Sequence, residues 1–110
     1  MADFSFIFKG KKFNIDVKEC KTYFSKMMGL MFRKKSKPLL FIFKKKNSSA
    51  IHSFFCVDFI AVWFDNGKVV DVQLVKPWRF YIKPIGKFDR LLEIPSNSND
   101  FRELALLIKK

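Results

Sequence analysis

Residues 60–74 read IAVWFDNGKVVDVQL and carry the strongest fold signal in the chain. Two apolar, β-branched runs, 60–64 and 69–74, flank the DNGK segment at 65–68. Asn-Gly is the pair that a two-residue hairpin turn prefers, because both of its central positions need a positive φ. The stretch therefore predicts a tight β-hairpin.

The chain before and after this hairpin is divided into similarly short apolar runs. Period-2 runs at 4–8 and 13–17 lie on either side of a Lys-Gly segment and predict a second hairpin. Further short strands are predicted at residues 39–43, 51–57, 78–82 and 91–94. Because a run of lysines followed by Asn-Ser-Ser comes after 39–43, we predict that this strand ends there in a loop.

Two helices complete the predicted architecture. A short helix is expected after Cys20, capped by Thr22 and closed by Gly29. Near the C-terminus, Asp100 and Glu103 fit a capping box that opens a second helix. About seven or eight short strands separated by turns favour a mostly-β fold, either a compact β-sandwich or a jelly-roll-like small barrel.

Length and composition limit the class of protein. The 110 residues are 49% apolar and 17% aromatic, which supplies one ordinary core and excludes intrinsic disorder. We therefore predict a single domain over residues 1–110, with no membrane-spanning run. The N-terminal residues do not resemble a secretory signal, so Cys20 and Cys56 are expected to be thiols and the protein cytoplasmic.

Six sequence blocks, in order, resemble a known family. They are GLMFR at 29–33, LLFIF at 39–43, HSFF at 52–55, DNGKVV at 65–70, KPWR at 76–79 and LEIP at 92–95. Over about residues 20–97 the chain resembles the family of domain of unknown function 192 (DUF192). The resemblance implies a compact β-sandwich or jelly-roll-like domain and brings no reaction, substrate or cofactor. It also implies Met, Pro and Asp where this chain has Cys56, Phe59 and Ala61.

The positive charge of the chain is concentrated in one segment. The formal net charge is +12, and residues 33–46 contain seven basic residues and no acidic one. A cluster of this kind favours an anionic partner, either a nucleic acid or another polyanion. Lysines account for 18 of the 22 basic residues, so a compositional origin stays open. The candidate anion-binding residues are Arg33, Lys34, Lys35, Lys44, Lys45, Lys46 and Arg79.

A second segment interleaves basic and aromatic side chains. After Lys76, the aromatic residues Trp78, Phe80 and Tyr81 lie on both sides of Arg79. This pattern is typical of surfaces that bind single-stranded nucleic acid, where cations contact the phosphates and aromatic rings stack on the bases. The alternative is that these rings belong to the core and that the lysines only solvate a loop.

An enzyme would have to use His52, the one histidine in the chain. On a strand, His52 and Cys56 share a face but lie about 13 Å apart, whereas a working nucleophile–base pair needs about 3 Å. Glu93 shares a face with Leu91, and with Arg33 it would form either a structural salt bridge or part of a pocket. The pocket candidates are therefore His52, Glu93 and Cys56.

No motif in the sequence indicates a cofactor or a metal. The cysteines and the histidine lack ligand spacing, and no glycine-rich phosphate loop is present. We therefore expect a non-enzymatic binding module for an anionic partner. The alternatives are a small enzyme with a pocket around His52, Glu93 and Arg33, or a subunit that buries some of its 15 phenylalanines against a protein partner.

Overall fold

Six strands and one helix form the part of the chain that the structure describes. The structure is a computed structural model and describes residues 2–20, 37–48, 58–76 and 82–109. Its elements are β1 (Ala2–Phe8), β2 (Lys11–Cys20), β3 (Leu39–Asn47), β4 (Phe59–Asp65), β5 (Lys68–Val75), β6 (Phe88–Pro95) and α1 (Asn99–Ile108). The predicted mostly-β class is therefore confirmed.

The six strands belong to one mixed sheet that curls into a nearly closed barrel. Their order is β1-β2-β3-β6-β4-β5. All neighbours are antiparallel except β2 and β3, which are parallel. The edge strands β1 and β5 approach each other, but no ladder joins them in the described part of the chain. The barrel is therefore open between its two edge strands, and we call this opening the β1–β5 seam.

Both predicted hairpins are confirmed, together with their turn chemistry. Lys9 and Gly10 connect β1 to β2 with φ values of 50° and 77°. Asn66 and Gly67 connect β4 to β5 with φ values of 52° and 83°. Positive φ at both central positions produces the twist that matches the twist of paired strands. These turns fix the register of both hairpins.

Strands β4 and β6 are buried on both sides of the sheet. Six successive residues of β4, from Phe59 to Phe64, are each 0% exposed, so this strand shows no polar–apolar alternation. The inner core of the barrel consists of Phe6, Phe13, Ile15, Val17, Leu40, Ile60, Val62, Phe64, Leu92, Ile94 and Leu104. The outer face of the sheet carries a second cluster, Cys20, Leu39, Phe41, Phe59, Ala61, Trp63, Val75, Ile82, Phe88 and Leu91.

Helix α1 packs against strands β4, β5 and β6. Leu104 is its buried residue and belongs to the inner core. The predicted cap at Asp100 is wrong: Ser98 is the N-cap, and its hydroxyl accepts a hydrogen bond from the Asp100 backbone N–H at 3.4 Å. Ser98 has the extended backbone of a cap residue, whereas Asp100 lies inside the first turn of the helix. In the first turn, the negative charge of Asp100 lies near the positive end of the helix dipole.

The prediction for residues 44–46 is also wrong. We expected a loop after residue 43, but β3 continues through the three lysines to Asn47. The strand extends this far because its pairing with β6 resumes at Asn47, which pairs with Phe88. The predicted helix after Cys20, the predicted strand 51–57 and nearly all of the strand 78–82 lie outside the described residues.

The helix provides a direct test of the inner core. Replacing Leu104 with Ala removes a fully buried side chain, so the free energy of unfolding should fall by about 2–5 kcal/mol. The same change at Leu106, which is 57% exposed on the same helix, should cost less than about 1 kcal/mol. Urea denaturation of both variants measures the difference, and equal losses would contradict the packing described here.

Candidate functional site

Three candidate anion-binding lysines lie on an irregular part of β3. Between the Ile42–Arg90 pair and the Asn47–Phe88 pair, β3 has four residues where β6 has only Asp89. The additional residues cannot all join the ladder, so the strand bulges there. The side chains of Lys44, Lys45 and Lys46 are exposed on this bulge.

Strand β6 brings two further cations to the same end of the barrel. Lys87 immediately precedes β6, and Arg90 pairs in register with both Ile42 and Phe64. Both side chains are exposed. We refer to Lys44, Lys45, Lys46, Lys87 and Arg90 as the basic rim. Sequence reasoning missed Lys87 and Arg90 because they lie more than forty residues after the lysine run, and only strand pairing brings them beside it.

Two carboxylates lie within this rim. The Lys46 ammonium is 2.9 Å from Asp65 Oδ1, and the hydrogen bond to Asp65, followed by its negative charge, raises the pKa of Lys46. Asp89 accepts a hydrogen bond from the Asn66 backbone N–H at 3.4 Å. The charge of Lys46 is therefore largely compensated, whereas Lys44 and Lys45 form no ion pair with a described carboxylate.

Glu93, the described member of the predicted pocket, lies at the centre of the outer face. Its register partners are Leu39 on β3 and Ala61 on β4. Glu93 is 7% exposed, and within the described residues its carboxyl has neither a hydrogen bond nor an ion pair. Removal from water disfavours the charged form, so burial raises the pKa of Glu93 from 4.5 to about 8. The predicted shared face with Leu91 is confirmed by this register.

A second polar group on the outer face has no partner among the described residues. Trp63 is 0% exposed, and its indole Nε1 has no hydrogen-bond acceptor in that part of the chain. Trp63 pairs with Leu91, which lies two positions before Glu93 on β6. The side chains of Trp63 and Glu93 therefore lie on the same face of neighbouring strands. The outer face therefore combines a carboxyl and an indole donor with an otherwise apolar surface.

The remaining predicted site residues lie outside the described part of the chain. They are Arg33, Lys34, Lys35, His52, Cys56, Trp78, Arg79, Phe80 and Tyr81. The salt bridge expected between Arg33 and Glu93 therefore stays a prediction, as does the stacking role of residues 78–81. In the described residues, no group of three or more His, Cys, Asp or Glu side chains could hold a metal ion.

The sequence model of DUF192, described as an uncharacterized ACR, matches residues 6–105. The chain belongs to the DUF192 family. Its curated relatives are UPF0127 proteins, which include one from Pyrococcus furiosus that is 36% identical over 67% of each chain. Another, from Thermococcus sibiricus, is 34% identical over 84% of this chain and 63% of the relative. The DUF192 chain thus spans about two thirds of the length of these relatives.

Two solved structures share the fold of this DUF192 chain. A Novosphingobium aromaticivorans protein of unknown function matches with a TM-score of 0.75 over 86% of this chain and 73% of its own, at 13% identity. A Sinorhizobium meliloti protein, described as a proposed transcription regulator, matches with a TM-score of 0.75 over 92% of this chain and 82% of its own, at 15% identity. At such identities the likeness shows the fold alone.

One family departure falls directly beside Glu93 in the DUF192 chain. Ala61, where the family resemblance implies Asp, is its cross-strand partner on β4. Two carboxylates at these positions would repel each other, so one of them would have to bind a proton or a cation. With Ala61 fully buried at this position, Glu93 has no carboxylate opposite it on β4. A role that depends on a carboxylate at position 61 cannot operate in this chain.

No helix in the described residues is long and apolar enough to cross a membrane. The cytoplasmic location and the single domain over residues 1–110 stay predictions.

The pKa of Glu93 predicts how stability depends on pH. The folded protein keeps a proton on Glu93 up to about pH 8, whereas the unfolded chain releases it near pH 4.5. The folded state therefore binds more protons between these values, and the free energy of unfolding falls as pH rises, by at most about 1.4 kcal/mol per pH unit. An E93Q variant cannot titrate there and should lack this part of the decline.

Urea denaturation at several pH values between about 5 and 9 measures the effect. The matched control is D3N, which removes an exposed carboxylate on β1 and should keep the decline seen in the wild type. Parallel profiles for wild type and E93Q would show that Glu93 is not held in its neutral form.

Proposed function

We propose that this DUF192 chain is a non-enzymatic binding module whose basic rim binds a phosphate-bearing polyanion. The observation that carries the proposal is the bulge in β3, which displaces Lys44 and Lys45 from the ladder beside Lys87 and Arg90. Four exposed cations, from β3, from β6 and from the residue just before β6, then face solvent at one end of the barrel. Such an arrangement can contact several phosphates of one polymer and release their counterions.

The pairing of other lysines supports a specific role for the rim. Lys11, Lys37 and Lys76 each form an ion pair with a carboxylate, namely Glu103, Asp16 and Asp58 respectively. Among the described rim residues, only Lys46 is paired in this way. Lys12 and Lys68 also form no ion pair with a described carboxylate, but strand pairing gathers Lys44, Lys45, Lys87 and Arg90 beside one bulge.

The cations of the rim are suited to different parts of the interaction. Arg90 presents a planar guanidinium, which binds two phosphate oxygens at once, whereas Lys44 and Lys45 act as mobile point charges. Lys46, held by Asp65, is expected to support the bulge rather than the ligand. Base stacking by Trp78, Phe80 and Tyr81 would favour a single-stranded nucleic acid, and this element of the proposal rests on the sequence pattern.

The alternative of an enzyme rests on Glu93. A buried carboxyl with a raised pKa suits proton transfer, but the Glu93 side chain is 7% exposed and its described neighbours, Leu39 and Ala61, are apolar. No described residue beside it supplies a nucleophile, a base or an anion-binding group. The binding module is therefore the function that we favour.

The alternative of a Phe-rich interaction surface finds no support among the described phenylalanines. Six of them are buried in the two clusters, and Phe4, Phe8, Phe43 and Phe101 are partly buried against these clusters. None of these ten phenylalanines is an exposed side chain.

Fluorescence anisotropy with short single-stranded and duplex oligonucleotides tests the proposal over a series of salt concentrations. Replacing Lys44 and Lys45 with Gln should weaken binding and reduce the slope of log affinity against log salt, by up to about 0.7 per lysine on single strands and about 0.9 on duplex.

The matched control is the double variant K83Q/K109Q, which removes the same charge from two exposed lysines outside the rim. Its salt slope should stay close to that of the wild type. A K44Q/K45Q variant with the wild-type slope, or no binding by the wild type at low salt, would contradict the proposal.

A further inference from the structure

The chain between β5 and β6 passes along β5 before it reaches the basic rim. We call residues 82–86 the anchored segment. It begins at Ile82, a buried member of the outer cluster. Pro84 is also buried, whereas Ile85 is 84% exposed. Lys87 of the rim directly follows this segment. The anchored segment therefore sets the direction from which the chain enters the rim.

Two polar side chains of β5 hold the anchored segment by its backbone. Asp71 Oδ2 accepts a hydrogen bond from the Ile85 N–H at 3.2 Å. Gln73 Nε2 donates one to the Lys83 carbonyl at 2.9 Å and another to Asp71 Oδ2 at 2.9 Å. The other carboxylate oxygen, Asp71 Oδ1, accepts from the Val72 N–H at 2.8 Å. The two side chains therefore form one hydrogen-bonded unit, which we call the Asp71–Gln73 clamp.

The end of the anchored segment also lies close against β5. A methyl group at Gly86 would be 3.2 Å from Val70 Cγ1, closer than an ordinary van der Waals contact. Glycine therefore allows the backbone to approach β5 this closely. Together with the clamp, this contact holds three of the four residues that precede Lys87, namely residues 83, 85 and 86.

Strand pairing gives the start of β6 little support. Phe88 pairs with Asn47 of β3, and the bulge in β3 lies directly opposite Asp89. On the other side of β6, the register with β4 ends at Arg90. Among the described strands, Lys87 therefore has no ladder partner, and only one pair, beyond the bulge, holds the residue that follows it. The clamp supplies a support that the sheet does not provide at this point.

The charge of Asp71 excludes a direct contact with an anion. A carboxylate repels a phosphate, so any contribution of Asp71 to polyanion binding must act through the geometry of the anchored segment. In the described part of the chain, its oxygens accept hydrogen bonds only from neutral N–H groups. A lysine whose backbone is already held loses less conformational freedom when it binds a phosphate.

We propose that Asp71 and Gln73 are positioning residues for the basic rim. By holding the anchored segment against β5, they keep the backbone of Lys87 beside the β3 bulge, so that Lys87 contacts the same polyanion as Lys44 and Lys45. This inference rests on the function proposed above and adds to it a support on β5, outside the rim.

Oligonucleotide binding by a D71N variant tests this role by the sign of the effect. The asparagine places an amide N–H2 group where one carboxylate oxygen accepts hydrogen bonds, so part of the clamp is lost. The change also removes one negative charge from a chain of formal net charge +12, so electrostatics alone would strengthen binding. Loss of the Lys87 contact should instead weaken single-strand binding about fivefold at about 0.1 M salt and reduce the salt slope by about 0.7.

Two further variants control for charge and for the choice of side chain. D3N removes the same negative charge from an exposed aspartate on β1 and should bind at least as tightly as the wild type. Q73M keeps the length of the side chain and the net charge but removes both donated hydrogen bonds. It should therefore weaken binding in the same direction as D71N.

Combination with rim variants separates positioning from a general loss of structure. In a K87Q background the supported contact is already absent, so D71N should cause little further loss. In a K44Q background D71N should cause its full loss, because Lys44 belongs to β3 and does not depend on the anchored segment. A variant that had only lost stability would weaken binding equally in both backgrounds.

Hydrogen exchange followed by NMR tests the clamp without a ligand. The Ile85 amide should exchange at least about threefold faster in D71N than in the wild type, because its acceptor is lost. The amide of Val62, on a strand paired on both sides, should change little and shows that the barrel is intact.

The possible results distinguish this inference from the proposed function. If K44Q/K45Q lowers the salt slope while D71N binds as tightly as D3N, the rim binds the polyanion and the positioning role is wrong. Equal losses from D71N in the K87Q and K44Q backgrounds would also overturn the positioning role. If the wild type does not bind at low salt, the proposed function fails and the positioning role fails with it.

Discussion

The pairing of β4 with β6 is the interaction on which the rest of this structure depends. Residues Phe59 to Phe64 of β4 and Leu91 to Ile94 of β6 are buried, and their apolar side chains divide between the inner core and the outer cluster. The pair joins the β4–β5 hairpin to β3 and, through it, to the β1–β2 hairpin. Because one shift of register would exchange the two faces, the close packing of both clusters fixes the pairing.

This two-sided burial also explains the unusual state of Glu93. The carboxyl of Glu93 lies in the middle of β6 and is only 7% exposed, and the register places it between Leu39 and Ala61. Its desolvation is therefore a consequence of the same pairing that stabilises the barrel. The neutral carboxyl is compatible with this position, whereas the charged form opposes the fold.

The basic rim and the clamp that supports it lie where the regular sheet is interrupted. At one end of the barrel, β3 carries more residues than β6 can pair, so its lysines are displaced into solvent. At the β1–β5 seam, β5 pairs only with β4 among the described strands, so Asp71 and Gln73 can hold the anchored segment against it. A fully closed and regular barrel would present neither feature. These irregularities expose the groups on which the proposed binding rests, while the paired strands hold them in place.

Local patterns were enough to predict the two hairpins and the mostly-β class, because Asn-Gly and Lys-Gly turns and alternating apolar runs act over a few residues. The family was indicated by the resemblance of six sequence blocks in order. It also identified Glu93 and the lysines of β3 as unusual. The folded chain was needed to show that Lys44–Lys46 belong to a bulged strand, that Ser98 rather than Asp100 caps the helix, and that Lys87 and Arg90 join the rim. These features depend on pairing between strands that are distant in the chain, and on which side chains the closed barrel leaves in water, neither of which is encoded in a local pattern.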